Sequence, residues 1–203
     1  MSSTCSPEPF QISVPQDAID ALKQKLDATT LPPPAPSGED PWAHGAPLAD
    51  IQRLLAYWRT TYDWKKHEAA LNAELPQFTL DVPVHGHGAL RAHFVHQQAK
   101  CDAKHRVVPL LFVHGWPGSF VEVRKVLPLL TTPGSEGELV FDVVAPSLPG
   151  FGFTSAPEKA GFALDQYAEV SQACKFVSFW CMQVDRHIVL PQPDACAGLQ
   201  NIR

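Results

Sequence analysis

Residues 107–113 form an unbroken apolar run that ends on His114-Gly115-Trp116-Pro117-Gly118-Ser119, and this junction limits the fold more than any other stretch. A continuous apolar run of that length predicts a strand buried on both faces. The glycines and proline after it predict a tight turn. Residues 120–130 then read as a helix and residues 141–145 as a second short apolar strand. Strand, helix and strand in that order predict a parallel pair joined by a right-handed crossover. Upstream, residues 78–82 and 89–96 read as two strands around the turn His85-Gly86-His87-Gly88. His93 and Phe94 fall in the second of them, where successive side chains alternate faces. The expected fold class is therefore α/β.

The chain before this sheet reads as helical. Residues 13–28 form one helix: Ser13 and Gln16 make a capping-box pattern, Pro15 sits in the first turn, and Ile19, Leu22 and Leu26 share a face. Residues 31–36 hold four prolines and end it. Residues 48–62 form a second helix with Leu48, Ile51, Leu55, Trp58 and Tyr62 as an apolar stripe, and residues 65–72 add a shorter third. None of the three carries a chemical signature, so each is expected to pack against something larger. The organisation expected is a helical segment over residues 1–76, a sheet segment over 77–170 and a divergent tail over 171–203. The tail shows no clean periodicity, and Pro191 and Pro193 interrupt it.

Composition narrows the function classes. Hydrophobic residues make up 45% of the chain, enough for a buried core. The net charge of -5 is spread along the sequence, and nucleic-acid or anionic-membrane binding would need concentrated Lys and Arg. Residues 1–9 lack a basic stretch followed by an apolar one, so no signal peptide is expected. The run at 107–113 is far short of the ~20 apolar residues a membrane helix needs. The five cysteines, Cys5, Cys101, Cys174, Cys181 and Cys196, are odd in number and scattered, which favours free thiols in a reducing compartment. A cytoplasmic protein is the expectation. Cys174, Cys181, His187 and Cys196 are not spaced like zinc ligands, which pair roughly two to five residues apart, so no metal is expected.

Chemistry concentrates at the junction. A strand, a glycine-rich turn and a helix start aim backbone N–H groups into one space, where they can stabilise an oxygen that becomes negative during ester hydrolysis. The N–H of Trp116 is the obvious donor, within an oxyanion hole built from His114, Gly115, Trp116 and Pro117. A bare His-Gly pair is, on its own, more often a plain strand-to-helix turn. The loop Ser147-Leu148-Pro149-Gly150-Phe151-Gly152-Phe153-Thr154-Ser155 behind the next strand is, alone, only a Gly/Pro-rich connection.

Taken together, these pieces resemble one family. The two loops resemble those after the third and fourth strands of α/β-hydrolase enzymes. Trp42-Ala43-His44-Gly45, Tyr57-Trp58, Tyr62-Asp63-Trp64-Lys65-Lys66-His67-Glu68, Leu71-Asn72, Gln77-Phe78 and His93-Phe94-Val95-His96 resemble the N-terminal region of microsomal-type epoxide hydrolases. The likeness runs from about Phe10 to Glu169. It implies an α/β-hydrolase sheet, here incomplete with its first strands only, preceded by a helical N-terminal segment. It implies hydrolysis of a small-molecule epoxide to a vicinal diol. In that family an Asp attacks the ring and forms an ester, two Tyr donate protons, and a His oriented by an acid activates water. No cofactor is implied, and oligomeric state is left open.

The attacking carboxylate is not legible. It should sit on a sharp turn after the next strand, flanked by small residues two places away. Asp165 lies between Ala163 and Tyr167, Asp185 between Gln183 and His187, and Asp194 between Gln192 and Cys196; none fits. No Gly-x-Ser-x-Gly occurs, which weakens an esterase reading. His187 lacks the expected context, and Tyr167 belongs to a helix rather than to a lid. The resemblance fades at Val170, as a frame change, retained intron or faulty gene model would make it. The expectation is an epoxide hydrolase by descent, inactive as this chain, with strand 107–113 exposed as an aggregation-prone edge. The alternative is a non-catalytic module that binds another chain.

Overall fold

The structure, a computed structural model, describes residues 6–34, 36, 38, 40–102 and 104–185, with side chains through residue 175. It divides into two compact units: residues 12–71, and residues 1–11 with 72–203.

The second unit is built on a mixed five-stranded sheet. Its strands are β1 (Glu8–Phe10), β2 (Gln77–Val84), β3 (Gly88–Gln97), β4 (Arg106–Leu111) and β5 (Leu139–Pro146), in the spatial order β1-β2-β3-β5-β4. β2 and β3 form the expected hairpin, antiparallel in a register that sets Phe78 opposite Phe94 and Val84 opposite Gly88. β5 runs antiparallel to β3 and parallel to β4. The expected parallel pair is therefore present.

Alternation decides what each face of the sheet buries. Leu80, Val82 and Val84 of β2 and Leu90, Ala92 and Phe94 of β3 join Val144 in one core. The long helix covering that core, α5 (Leu164–Asp185), contributes Val170, Ala173 and Cys174, three residues at helical spacing. Burial pushes the Cys174 thiol up to about 12. Across the sheet, the intervening residues His93 and Val95 are fully buried, as are Val123 and Leu127 of the β4–β5 connection.

Several boundaries differ from the sequence pattern, each for a physical reason. Residues 120–130 do not form one helix. A 3-10 turn covers Phe120–Val123, and a short helix, α4 (Leu127–Thr131), begins afresh with Pro128 in its first turn. Proline lacks an N–H and its ring would strike the carbonyl four residues back, so the helix restarts there. β4 is not buried on both faces; among the described residues it pairs only with β5, and every residue in it is half-buried or exposed. α5 runs through residue 170, across the boundary set there from the pattern. Residues 164–185 hold neither Gly nor Pro, so nothing interrupts the helix even though its apolar residues lack a clean stripe. Residues 8–10, placed with the helical segment from sequence, pair with β2 and belong to the sheet.

The first unit holds α1 (Gln16–Asp27), α2 (Leu48–Thr60) and most of α3 (Trp64–Glu74). The Ser13–Gln16 capping box is absent: the N-cap is Pro15, with no side-chain cap. Glu68 holds that entry instead, accepting from Val14 N–H at 2.6 Å and from Lys65 Nζ at 2.8 Å. The hydrogen bond from Lys65 and then that from Val14 hold its carboxyl below the usual range. No residue of α2 is fully buried, and Ile51, Leu54, Tyr57 and Trp58 stand exposed.

Candidate functional site

β4 and β5 are parallel, so the segments leaving their C-terminal ends emerge on one rim of the sheet. Those segments are His114-Gly115-Trp116-Pro117-Gly118-Ser119 and the glycine loop of residues 147–155.

Ser119 caps the 3-10 turn at the end of the first segment. Its Oγ accepts from Val121 N–H, and Glu122 Oε1 accepts from Ser119 N–H in return. Gly118 is there for space: a Cβ would lie 1.8 Å from Glu122 Oε1 and 2.8 Å from Gly115 O. The Trp116–Pro117 peptide is cis. Trp116 projects its side chain outward, 84% exposed, whereas His114 is buried at 3%. The His114 ring lies edge-on to Phe151, with centroids 5.5 Å apart.

The four residues expected to line an oxyanion hole therefore divide. The His114 ring turns into the protein, where Nδ1 meets Gly115 O at 3.0 Å and Nε2 accepts from Leu148 N–H at 3.1 Å. Pro117 has no N–H to offer. The backbone N–H groups of Gly115 and Trp116 remain, and among the described residues no backbone carbonyl takes either one.

The glycine loop is bonded to itself and to β3. Phe151 N–H donates to Leu148 O, Gly150 N–H to Ser155 O, and Ser155 N–H to Arg91 O. Thr154 Oγ1 accepts from His93 N–H at 2.9 Å and donates to Ser147 O at 2.8 Å. Gly152 adopts φ +53°, and a Cβ there would lie 2.8 Å from Ser147 Oγ, so both conformation and space require glycine.

His93 sits behind both loops. The rings of Phe10, Phe120 and Phe153 surround it at centroid distances of 5.0, 4.8 and 5.3 Å. Its Nδ1 meets Ser147 Oγ at 2.8 Å and its Nε2 meets Gln77 Oε1 at 3.1 Å. Burial among apolar rings pushes its pKa down to about 4, so it is neutral at pH 7. From the sequence it was a strand residue of the family pattern and nothing more; no spacing signal marks Ser147 as its partner.

The aspartates and cysteines considered from sequence do not gather here. Asp165 lies exposed in the first turn of α5, and Tyr167 packs edge-on against Phe162 in the same region. Asp185 ends α5, and its side chain, like that of Cys181, lies outside the described residues; so do Cys5, His187, Asp194 and Cys196. Among the described residues no group of three or more His, Cys, Asp or Glu could hold a metal, and no helix is long and apolar enough to cross a membrane.

Comparison with known proteins places these features. The family model described as epoxide hydrolase N terminus matches residues 7–123, and that of the alpha/beta hydrolase fold matches residues 108–177. Epoxide hydrolase 1 of Oryctolagus cuniculus is 38% identical over 76% of this chain and 33% of its own length. Juvenile hormone epoxide hydrolase 2 of Ctenocephalides felis is 36% identical over 81% of this chain and 34% of its own. Among solved structures, Aspergillus niger epoxide hydrolase superposes with a TM-score of 0.71 at 32% identity, over 85% of this chain and 43% of that one. The juvenile hormone epoxide hydrolase of Bombyx mori gives 0.68 at 27% identity, over 90% and 44%. The chain thus spans less than half the length of these relatives. Matched across its helical unit, its hairpin and the loop after β4, the chain belongs to the epoxide hydrolase family.

Proposed function

We propose that this chain carries the oxygen-stabilising part of an epoxide hydrolase site, and that the described residues do not supply the carboxylate that attacks the ring. In the reaction, a carboxylate oxygen bonds to a ring carbon, the C–O bond of the epoxide breaks and its oxygen takes a proton. Water then adds to the ester carbonyl, whose oxygen becomes negative. The acyl–oxygen bond breaks, releasing a vicinal diol and regenerating the carboxylate. The Trp116 N–H, with that of Gly115 beside it, fits the second step as donor to the negative oxygen. The observation that carries this reading is that, among the described residues, no backbone carbonyl accepts from either N–H, on the rim where the β4 and β5 loops emerge.

Incubation of the purified chain with styrene oxide tests the proposal. The expected result is no diol above the buffer blank and, by mass spectrometry after brief exposure, no ester on any aspartate. Diol formation that persists with chelators and is lost on changing Trp116 and Pro117 would overturn the inactive reading and keep the cradle. An aspartyl ester would identify a nucleophile directly.

A second reading, a non-catalytic module that binds another chain, is favoured by the outer side of β4, which pairs with no strand among the described residues. Co-purification of one defined partner, lost when a lysine is placed in β4, would support it.

A further inference from the structure

Two imidazoles accept hydrogen bonds from consecutive residues at the start of the glycine loop. Ser147 Oγ lies 2.8 Å from His93 Nδ1, and Leu148 N–H donates to His114 Nε2 at 3.1 Å. The remaining nitrogen of each ring is fixed by its own partner. Gln77 Nε2 donates to Asn72 Oδ1 at 3.2 Å, so Gln77 Oε1 faces His93 and accepts from its Nε2–H. Leu148 N–H can only donate, so His114 Nε2 must be bare and the ring proton sits on Nδ1, which donates to Gly115 O. The two histidines therefore hold opposite tautomers, and Ser147 and Leu148 are gripped between them.

The consequence reaches the proposed donor through one peptide plane. Gly115 C=O and Trp116 N–H belong to the same peptide unit, which is trans, since Trp116–Pro117 is the cis bond. Fixing the carbonyl toward His114 fixes the N–H to point the opposite way. Gly118 leaves room for that carbonyl, because a Cβ there would come within 2.8 Å of it. We infer that His114 is a positioning residue: through its Nδ1-protonated tautomer, set by Leu148, it orients the Gly115–Trp116 peptide and so aims the Trp116 N–H. The orienting chain stands on the hydrogen bonds alone; its use in ester hydrolysis rests on the function proposed above.

Nuclear magnetic resonance on the full chain tests this without any epoxide. Long-range ¹⁵N–¹H correlations of the imidazoles should show a bare Nε2 on His114 and a bare Nδ1 on His93. Two variants then separate the two bonds. His114→Gln places an amide oxygen near the position of Nε2 and keeps an acceptor for Leu148. His114→Asn places an amide donor near the position of Nδ1 and keeps the bond to Gly115 O. Exchange of the Leu148 amide should quicken about tenfold in His114→Asn and stay near its original rate in His114→Gln. The residual dipolar coupling of the Trp116 N–H should shift in His114→Gln and hold in His114→Asn. A proton on His114 Nε2, or a Trp116 coupling unmoved by His114→Gln, overturns the inference. Should both variants fail to fold, the tautomer pattern of the unaltered chain decides. A correct tautomer pattern in a chain that the styrene oxide assay finds catalytically competent would sink the inactive reading alone. A wrong pattern would sink the positioning role whatever the assay gives.

Discussion

His93 gives the residue scale its sharpest consequence. Its folded pKa of about 4 lies below the roughly 6.5 of an unhindered histidine. The unfolded chain therefore takes up the proton first as pH falls. The stability due to a neutral His93 is fully present above pH 6.5 and drains away as pH falls toward 4. Between pH 7.5 and pH 5 the loss should be about 2 kcal/mol. Urea unfolding at the two pH values should show it, and His93→Asn should flatten most of that difference. An equal pH dependence in the variant would assign the effect elsewhere. This residue also marks where sequence reading stops. His93 and Ser147 are 54 positions apart, and alternation along a strand says which face a histidine takes, not what it meets there. The role proposed for Trp116 can be read from the sequence because it needs only a backbone N–H in a turn. His114 was legible as a motif member but not as a side chain turned inward, since that depends on Leu148 in another loop.

Among the elements, β4 separates what pattern can reveal from what pairing decides. Its apolar run identified a strand, and its position in the sheet made it the outer one. Phe112 N–H donates to Val144 O, so by alternation the even residues of β4 face β5, and Val107, Pro109 and Leu111 turn their backbone nitrogens to the open side. Pro109 has no N–H there, which removes one donor from the free edge. Pro109→Val should restore that donor and raise self-association, and Val107→Lys should lower it, as sedimentation velocity at several concentrations would register. Indistinguishable profiles for the parent and Pro109→Val would show that the edge does not drive association. α5 was missed in its second half for a related reason. Periodicity detects helices that bury one stripe, whereas residues 164–185 continue because nothing in them breaks a helix. β1 was missed because three residues, one of them Pro9, carry no alternation; pairing with β2 makes them a strand.

Across the whole molecule, burial is uneven in a way that native-state hydrogen exchange can read. β3 and β5 each hold a run of at least four consecutive buried residues, and β4 holds none. The central amides of β3 and β5 should exchange at least about tenfold more slowly than those of β4, and α2, with no fully buried residue, should exchange early. Uniform protection through β4 would mean that its outer side is covered in solution. Helical periods give way to strand periods near residue 77, whereas the spatial order of the strands is not written in the pattern. What composition and spacing could not supply was the assignment of residues 8–10 to the far side of that change, because chain order carries no record of which strand lies beside which.

The parallel sense of β4 and β5 gives the sheet a polarity that an experimenter can use. Both loops of interest leave from one rim, and the connection from β3 to β4, which carries the half-buried Cys101, crosses the other. With Cys5, Cys181 and Cys196 replaced by serine, a maleimide tether on that thiol would anchor the chain to a solid support by its back, leaving the tryptophan-bearing turn facing the liquid.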